Sequence, residues 1–131
     1  MRVVVIVPTY NEVENIEPFL RAVRAAAPDV DVMLADDASP DGTGEVADRV
    51  AAELGRITVL HRPGKQGLGT AYRDAISRVL PTNPDVVMMM DADFSHDPAM
   101  IPRFVEAIRA GRAAGRGGRR GSGLEIGRAH V

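Results

Sequence analysis

Two carboxylates, Asp91 and Asp93, directly follow an apolar run that begins at Val86. Side chains two residues apart in a strand point to the same side, so both carboxylates can direct their oxygens to one point just beyond the strand end. Hard oxygen ligands suit Mg²⁺ or Mn²⁺ better than zinc, which prefers His or Cys. The spacing therefore predicts a divalent-cation site, and a cation held there would suit a diphosphate.

A structural role for the same pair is open. Asp caps helices and forms turns, and Asp97-Pro98 is typical of a helix N-cap followed by proline in the first turn. His96 adds little to a metal site, because a lone His beside carboxylates more often makes a local hydrogen bond. The surrounding elements have to decide between a cation site and a cap.

Strand and helix patterns alternate along the chain up to about residue 111. Short apolar, β-branched runs predict strands, and apolar residues spaced by three and four predict helices. Pro8 is expected to end the first strand because it has no N–H, and Pro18 to be tolerated in the first turn of the first helix. The predicted strands are 3–7, 31–36, 57–61 and 85–90, and the predicted helices are 14–27, one ending near 54, 70–79 and 101–110.

This alternation predicts βαβ units, a parallel-rich sheet and an α/β fold. Polar stretches follow the carboxyl ends of predicted strands at 8–12, 36–43 and 91–97. In open sheets of this kind, ligands bind beyond those ends, near the point where the strand order reverses. The shared placement favours a binding site over a simple helix cap at residues 91–97.

Asp36 and Asp37 close the second predicted strand, so one carboxylate points to each face. A carboxylate in the crevice can accept hydrogen bonds from a nucleobase or ribose, whereas its structural role would be to cap the turn at Ser39-Pro40. Tyr10 could lie against a base, and Glu12 could accept from the ribose or base or be a solvated loop residue.

Gly42-Thr43-Gly44-Glu45-Val46-Ala47 formally fits the Gly-x-Gly-x-x-Ala dinucleotide fingerprint. Residues 38–41 separate it from the preceding strand, where the fingerprint needs a tight turn, and Arg62 stands where an acidic residue would hold the ribose. Binding of a nicotinamide cofactor is the alternative that this pattern leaves open. Residues 64–69 do not form a Walker loop, because Lys65 precedes the later glycines.

The composition is that of a soluble globular domain, with 45% hydrophobic and 26% charged residues in a chain of 131. Aromatic residues make up 4%, which argues against a base-stacking surface, so no nucleic-acid partner is expected. The absence of cysteine excludes disulfides and thiolate metal sites. No apolar stretch approaches the roughly 18 residues of a transmembrane helix, and no signal peptide is expected, so a cytoplasmic location is permitted.

Residues 112–131 differ in composition from the rest of the chain. They hold five arginines against one glutamate and are rich in glycine, whereas residues 1–111 carry an excess of acidic side chains. Such a segment cannot bury a core and is expected to be disordered. An altered or truncated reading frame explains it better than an RNA-binding tail, since aromatic residues are not interleaved.

Four ordered motifs resemble a known family. They are Pro8-Thr9-Tyr10-Asn11-Glu12, Asp36-Asp37-Ala38-Ser39-Pro40-Asp41-Gly42-Thr43, Lys65-Gln66-Gly67-Leu68-Gly69-Thr70-Ala71-Tyr72 and Met90-Asp91-Ala92-Asp93-Phe94-Ser95-His96. In order and spacing they closely resemble the dolichol-phosphate (polyprenol-phosphate) mannose synthases, which are inverting glycosyltransferases of family 2 with the Rossmann-like GT-A fold. The resemblance runs from residue 3 to about 111. Residues 1–111 are therefore expected to form a partial GT-A domain whose carboxy-terminal part is missing, and residues 112–131 a separate tail.

The resemblance also implies a site. Residues that it places in the nucleotide-sugar pocket are Pro8, Tyr10, Glu12, Ala35, Asp37, Asp91, Ala92 and Asp93. Asp91 and Asp93 would hold Mg²⁺ or Mn²⁺ and the diphosphate, with Asp93 as the catalytic residue and Ser95 as a further ligand. After the fourth helix the family continues with a Gly-Ser-Arg-Tyr-like motif, which Gly121-Ser122-Gly123 does not match.

The function that the resemblance implies is metal-dependent transfer of mannose from GDP-mannose to a polyprenyl (dolichyl) phosphate, with inversion. The acceptor would lie at the cytoplasmic face of a membrane, which makes a membrane-anchored partner subunit or domain compatible with this chain. An acceptor that is already an anion needs no strong general base. The alternatives are a truncated, non-catalytic fragment that binds a nucleotide sugar, another family 2 glycosyltransferase that uses a UDP-sugar, and a Rossmann-like NAD(P) module.

Overall fold

The computed structural model describes residues 1–64, 66–113 and 125–128. Strands and helices alternate throughout these residues, which confirms the α/β class. The strands are β1 (Val3–Thr9), β2 (Asp31–Asp36), β3 (Ile57–His61), β4 (Val86–Met89) and β5 (Glu125–Arg128). The helices are α1 (Val13–Ala26), α2 (Thr43–Leu54), α3 (Leu68–Val79) and α4 (Met100–Ala113), and a 3₁₀ turn (Leu80–Thr82) follows α3.

The strands form one sheet in the order β3-β2-β1-β4-β5, and every neighbouring pair is parallel. The chain moves outward from β1 through β2 to β3 and then returns to the other side of β1 to add β4. The strand order therefore reverses between β1 and β4. Their carboxyl ends border the crevice where open parallel sheets bind ligands.

Both faces of the sheet are covered, because successive residues of β1 point to opposite sides and all of them are apolar from Val3 to Val7. Val3, Val5 and Val7 pack into the larger core, which contains the apolar faces of α1, α2 and α4. Val4 and Ile6 pack into a smaller core under α3. Among the described helices, α3 is the one that packs on the face to which the even-numbered residues of β1 point.

Two prolines lie in different places from those that the sequence predicts. Strand β1 continues through Pro8 to Thr9. Met90 N–H donates to Ile6 O, so the backbone groups of Ile6 face β4. The backbone nitrogen of Pro8, two residues later, faces the same side but lies past the end of β4. No acceptor in β4 lies opposite it, so the missing N–H of Pro8 breaks no hydrogen bond of the sheet. Pro18 is the sixth residue of α1 and so lies in its second turn, where it costs one intrahelical hydrogen bond.

Strand β5 is an element that the sequence does not predict. Its four residues pair in parallel with β4, from Val86↔Glu125 to Met89↔Arg128. The expected disorder of residues 112–131 is therefore wrong for residues 125–128, because backbone pairing along the edge of β4 orders a segment whose composition alone does not. Helix α4 likewise extends to Ala113, past the expected boundary at 111. The rest of the expected tail, 114–124 and 129–131, lies outside the described residues.

None of the helices in the described part of the chain is long and apolar enough to span a bilayer.

Candidate functional site

A cavity of about 220 Å³ opens at the carboxyl ends of β1 and β4, on the face of the sheet that α3 covers. This is the crevice that the reversal of strand order predicts. The volume is smaller than the roughly 300–1,000 Å³ of pockets that enclose a whole drug-sized ligand. The lining residues are Pro8, Thr9, Tyr10, Glu12, Asp37, Gly67, Leu68, Ala71, Asp91, Ala92 and Asp93.

Seven of the eight residues predicted for the nucleotide-sugar pocket line this one cavity, namely Pro8, Tyr10, Glu12, Asp37, Asp91, Ala92 and Asp93. They come from three stretches that are far apart in the sequence. Ala35 is the exception, because it is 0% exposed, packs in the core under α3 and lies outside the cavity. It is the β2 neighbour of Pro8, which does line the cavity.

Asp91 and Asp93 lie in a bend that follows β4, rather than in the strand itself. Their common direction therefore comes from the loop and not from the pleat of a strand. Tyr72 Oη donates to Asp91 Oδ1 at 3.4 Å, and Ser95 N–H donates to Asp93 Oδ1 at 2.9 Å. Hydrogen bonds from the hydroxyl and the N–H of Ser95 lower the pKa of Asp93 below its ordinary value.

The helix-capping role belongs to Asp97. Its Oδ1 accepts from Ala99 N–H at 2.9 Å, and its backbone carbonyl accepts from Met100 N–H at 2.8 Å, at the start of α4. Asp93 closes only a local turn to Ser95. The capping explanation of the acidic stretch therefore accounts for its last carboxylate and leaves Asp91 and Asp93 at the cavity. His96 makes the local contact expected of it, 3.5 Å from Nδ1 to Ser95 Oγ.

Asp36 and Asp37 have different partners, although the sequence could not distinguish them. Asp36 accepts from Thr9 Oγ1 at 2.7 Å, from Ser39 Oγ at 2.6 Å and from Ser39 N–H at 3.0 Å. It closes the turn after β2, which is the structural role considered for this pair. Asp37 lines the cavity, so it is the carboxylate that is left to bind a ligand.

The rest of the 36–43 motif braces the neighbouring loop. Three consecutive backbone N–H groups donate to its side chains. Asn11 N–H donates to Ser39 Oγ at 3.0 Å, and Glu12 N–H donates to Thr43 Oγ1 at 2.9 Å. Val13 N–H donates to Asp41 Oδ2 at 3.1 Å. Burial raises the pKa of Asp41, but hydrogen bonds from Thr43 and Val13 outweigh it, so the net pKa lies below the ordinary value. These side chains fix the loop that carries Tyr10 and Glu12.

Arg62 is a residue near the site that the sequence reading did not assign. Its Nε lies 2.8 Å from Asp37 Oδ1 with the two side chains 2% and 7% exposed, yet the N–H is not directed at the oxygen, so the contact is an ion pair without a formal hydrogen bond. Its Nη1 is buried and has no hydrogen-bond partner in the described part of the chain. A basic residue directly after β3, at the sheet edge that carries Asp37, was the available signal.

The glycine pattern at 42–44 has structural reasons that involve no dinucleotide. Gly42 precedes α2 with φ +94°, a left-handed conformation that L residues rarely adopt. A Cβ on Gly44 would lie 3.2 Å from Asp36 Oδ2 and from the His61 ring, so only glycine fits without a shift. The six residues from 37 to 42 separate β2 from α2, where the fingerprint needs a tight turn.

The donor set fits a divalent cation that shares its coordination with a substrate. No cluster of three or more His, Cys, Asp or Glu able to hold a metal occurs among the described residues, so Asp91 and Asp93 would supply two protein ligands at most. Mg²⁺ sites of this type use one or two carboxylates and fill the remaining positions with phosphate oxygens and water. A structural zinc cage is the kind of site that this arrangement does not fit.

Comparison with known proteins identifies a family that matches most of the chain, including the residues of the cavity. Residues 4–129 match glycosyl transferase family 2. The chain belongs to glycosyl transferase family 2. The family 2 match runs beyond residue 111, where the resemblance was expected to end, and includes β5.

Three curated family 2 relatives match most of the chain. The undecaprenyl-phosphate mannosyltransferase of Micrococcus luteus is 50% identical over 109 residues, which are 83% of this chain and 45% of the relative. The polyprenol monophosphomannose synthase of Mycolicibacterium smegmatis is 44% identical over 84% of this chain and 42% of the relative. The dolichol-phosphate mannosyltransferase of Pyrococcus furiosus is 36% identical over 85% and 31%. The chain thus spans less than half the length of each.

A solved structure shares the fold. It is the mannosyltransferase PcManGT from Pyrobaculum calidifontis in complex with GDP-Man and Mn²⁺, which is 31% identical with a TM-score of 0.63. The match covers 70% of this chain and 27% of that one. The Rossmann-like GT-A architecture expected for this family 2 chain is thereby confirmed.

Proposed function

We propose that this chain binds GDP-mannose through a divalent cation and serves the transfer of mannose to a polyprenyl phosphate, with inversion at the sugar. The observation that carries the proposal is the convergence of Tyr10, Glu12, Asp37, Asp91 and Asp93 on one cavity where the strand order reverses. The family 2 relatives are named for mannosyl transfer to undecaprenyl, polyprenol or dolichol phosphate, and the structural neighbour holds GDP-Man with Mn²⁺.

The charge of the cavity supports a requirement for metal. Four carboxylates line it, from Glu12, Asp37, Asp91 and Asp93, and no Lys or Arg does so in the described part of the chain. Of these four carboxylates, Asp37 is the one with a buried cationic partner among the described residues, which is Arg62. A diphosphate would be repelled by such a lining, because like charges in a partly desolvated cavity interact strongly. Mg²⁺ or Mn²⁺ on Asp91 and Asp93 would offset the charge of these two carboxylates and offer the diphosphate oxygens a cation to bind.

Each half of the donor has its own residues in this proposal. Tyr10, Glu12 and Asp37 take the nucleoside, with Glu12 and Asp37 as hydrogen-bond acceptors. Asp91 and Asp93 take the diphosphate end, with Asp93 as the catalytic residue. The loop around Glu12 is already held by Ser39 and Thr43, so little of it has to be ordered when the nucleotide binds.

In the transfer step, an oxygen of the acceptor phosphate forms the new bond to C1 of mannose. The bond from C1 to the donor's diphosphate breaks, and its electron pair leaves with GDP, which gives a β-linked mannosyl phosphate. A divalent cation, when bound, supplies compensation for the charge that develops on this leaving group. The phosphate oxygen of the acceptor is ionised at neutral pH, so no side chain of this chain has to remove a proton.

We further propose that the acceptor is presented at the cytoplasmic face of a membrane, where this chain is peripheral and works with a membrane-anchored partner subunit or domain. A polyprenyl chain is too apolar to leave a bilayer freely, so the phosphate has to be reached at the surface. Association with vesicles that contain undecaprenyl phosphate, compared with vesicles that lack it, measures this part of the proposal directly.

The test is calorimetric titration of the chain with GDP-mannose, with and without Mn²⁺. UDP-glucose and NADPH serve as comparison ligands. Binding of GDP-mannose that requires Mn²⁺ is the expected result. Preference for UDP-glucose would instead identify a family 2 enzyme for a UDP-sugar, and tight binding of NADPH with none of GDP-mannose would favour the NAD(P) module.

A second assay separates an enzyme from a binding fragment. The chain is incubated with GDP-mannose, Mn²⁺ and undecaprenyl phosphate in detergent, and the lipid product is analysed by NMR at the anomeric carbon. A β-linked product supports inverting transfer. Metal-dependent donor binding without any product would show that these residues bind the donor without completing the transfer.

A further inference from the structure

Arg62 is a buried cation beside the donor cavity for which the proposed transfer has no role. It follows β3 directly, its side chain is 2% exposed, and it does not line the cavity. Arginine is almost never buried to this extent unless it is paired. Its neighbours therefore indicate what it does.

The first neighbour is Asp37, the cavity carboxylate at the end of β2. Arg62 Nε lies 2.8 Å from Asp37 Oδ1, and the N–H of Gln66 donates to Oδ2 at 3.2 Å. A carboxylate held at both oxygens cannot rotate freely. Because each oxygen can accept more than one hydrogen bond, Asp37 still has acceptor capacity for a ligand in the cavity.

The second contact is with the start of α3. Arg62 Nη2 donates to Gln66 Oε1 at 3.1 Å and to Thr70 Oγ1 at 2.9 Å. Thr70 Oγ1 in turn donates to the Gln66 carbonyl at 2.7 Å. Residues between these two, Gly67 and Leu68, line the cavity. One guanidinium thus joins the end of β2 to the first turn of α3 at the nucleoside side of the cavity.

We infer that Arg62 is a positioning residue for the nucleoside half of the donor. It fixes the Asp37 carboxylate so that this side chain accepts hydrogen bonds from the base or ribose, and it holds the start of α3 against it. The inference rests on the proposed donor site. No hydrogen bond or ion pair links Arg62 to Asp91 or Asp93 in the part of the chain that the structure describes, so the diphosphate end should not depend on it.

The experiment compares two ligands by calorimetry in the presence of Mn²⁺, GDP and inorganic diphosphate. The variants are Arg62→Met, Arg62→Lys and Thr70→Val, and Arg78→Met is the control, because Arg78 is an exposed residue of α3 with an ion pair to Asp74. Thr70→Val keeps the shape of the side chain and removes one acceptor of Arg62, which protects the test against an Arg62→Met protein that does not fold.

Arg62→Met should weaken GDP binding by about 10- to 100-fold, the loss expected when one partner of a buried ion pair is removed and the remaining charged group is left without it. Diphosphate affinity should stay unchanged. Arg62→Lys should recover part of the loss, Thr70→Val should show a smaller one, and Arg78→Met should bind like wild type. IDP lacks the guanine 2-amino group and 2′-deoxy-GDP lacks the ribose 2′-hydroxyl, so each analogue tests one donor group. The analogue without the group from which Asp37 accepts should be insensitive to Arg62→Met, and sensitivity of both would assign the contact to N1–H or the 3′-hydroxyl.

Equal loss of GDP and diphosphate in the Arg62 and Thr70 variants would show a merely structural role and overturn the inference. So would unchanged GDP affinity in folded Thr70→Val and Arg62→Lys. Wild-type protein that binds neither ligand with Mn²⁺ would contradict the proposed donor site itself, and this inference with it.

Discussion

The backbone N–H of Glu12 donates to Oγ1 of Thr43 at 2.9 Å, across 31 residues of sequence. Glu12 lines the cavity, and Thr43 is the fully buried first residue of α2. The contact joins the loop after β1 to the helix after β2, and the adjacent N–H groups of Asn11 and Val13 bind the same motif. Contacts within the chain thus hold the side of the cavity for which we propose the nucleoside.

Thr43→Val should destabilise the fold and weaken donor binding. The substitution keeps the shape but leaves the Glu12 N–H without its acceptor, and it removes the hydroxyl that donates to Asp41. Leaving a partly buried donor such as this one unsatisfied costs about 1 kcal/mol, the low end of the range for buried groups. Urea denaturation measures the free energy of unfolding, and titration with GDP and Mn²⁺ measures binding.

Thr58→Val is the matched control for this substitution. Thr58 is exposed in β3, and its side chain makes no hydrogen bond in the described part of the chain. We expect a change of about 0.5 kcal/mol or less there. If Thr43→Val were as stable as Thr58→Val and bound GDP equally well, the bracing role of Thr43 would be wrong.

Much of the fold follows from hydrophobic pattern alone. The apolar run from Val3 to Val7 is buried on both faces, as a central parallel strand requires, and the four predicted strands occur where the pattern places them. The position of Pro8 could not be predicted, because it depends on where β4 ends beside β1. Strand β5 could not be predicted either. It lies in a Gly/Arg-rich segment and is held by backbone pairing with β4, and the amino-acid composition of a segment does not show whether its backbone will pair with a strand.

The sequence could predict which segments form the site, but it could not predict the individual contacts between their side chains. The common location of Tyr10, Asp37 and Asp93 follows from parallel topology, because each lies just past the carboxyl end of a strand. The different roles of Asp36 and Asp37 depend on which side chains lie near each of them. Asp36 binds Ser39 across the turn, whereas Asp37 pairs with Arg62, which follows a different strand, β3. Such long-range pairings leave no periodic signal in one sequence.

Gly44→Ala should destabilise the fold. The added Cβ would lie 3.2 Å from Asp36 Oδ2 and from the His61 ring, so the turn after β2 would have to shift, at a cost of about 1–3 kcal/mol. Gly69→Ala is the opposite case, because no described atom lies within 4 Å of its Cβ and the residue is helical. A gain of a few tenths to about 1 kcal/mol is expected there. Thermal unfolding should therefore show a lower melting temperature for Gly44→Ala and a higher one for Gly69→Ala. A stabilised Gly44→Ala would contradict the close packing of Gly44 against Asp36 and His61.

Glu17 should make stability depend on pH in the acid range. Hydrogen bonds from Arg49 and Arg21 lower its pKa from 4.5 to about 2. Because the pKa is lower in the folded state, the carboxylate stabilises the fold above about pH 4.5, and this contribution is lost as the pH falls towards about 2. Glu17→Gln should therefore lose less stability than wild type over that window in urea denaturation at several pH values.

Glu14→Gln is the control for the pH experiment. Glu14 is exposed on the same helix and forms no ion pair in the described residues. Its substitution should leave the slope of stability against pH as in wild type. Added salt should reduce the difference between wild type and Glu17→Gln, because the ion pairs of Glu17 are solvent-accessible. A slope that Glu17→Gln does not change would contradict the ion-pair account.

The measurement closest to the central claim is Mn²⁺-dependent binding of GDP-mannose to Asp93→Ala. The control is Asp74→Ala, a substitution of a partly exposed residue of α3 that does not line the cavity. Asp93 lies outside the core and closes only a local turn with Ser95, so the substitution should change stability by about 1 kcal/mol or less. We predict that Asp93→Ala remains folded and loses metal-dependent binding, whereas Asp74→Ala binds like wild type. Binding that does not need the metal, or an unfolded Asp93→Ala with unchanged donor affinity per folded molecule, would contradict the account and return Asp93 to a purely structural role.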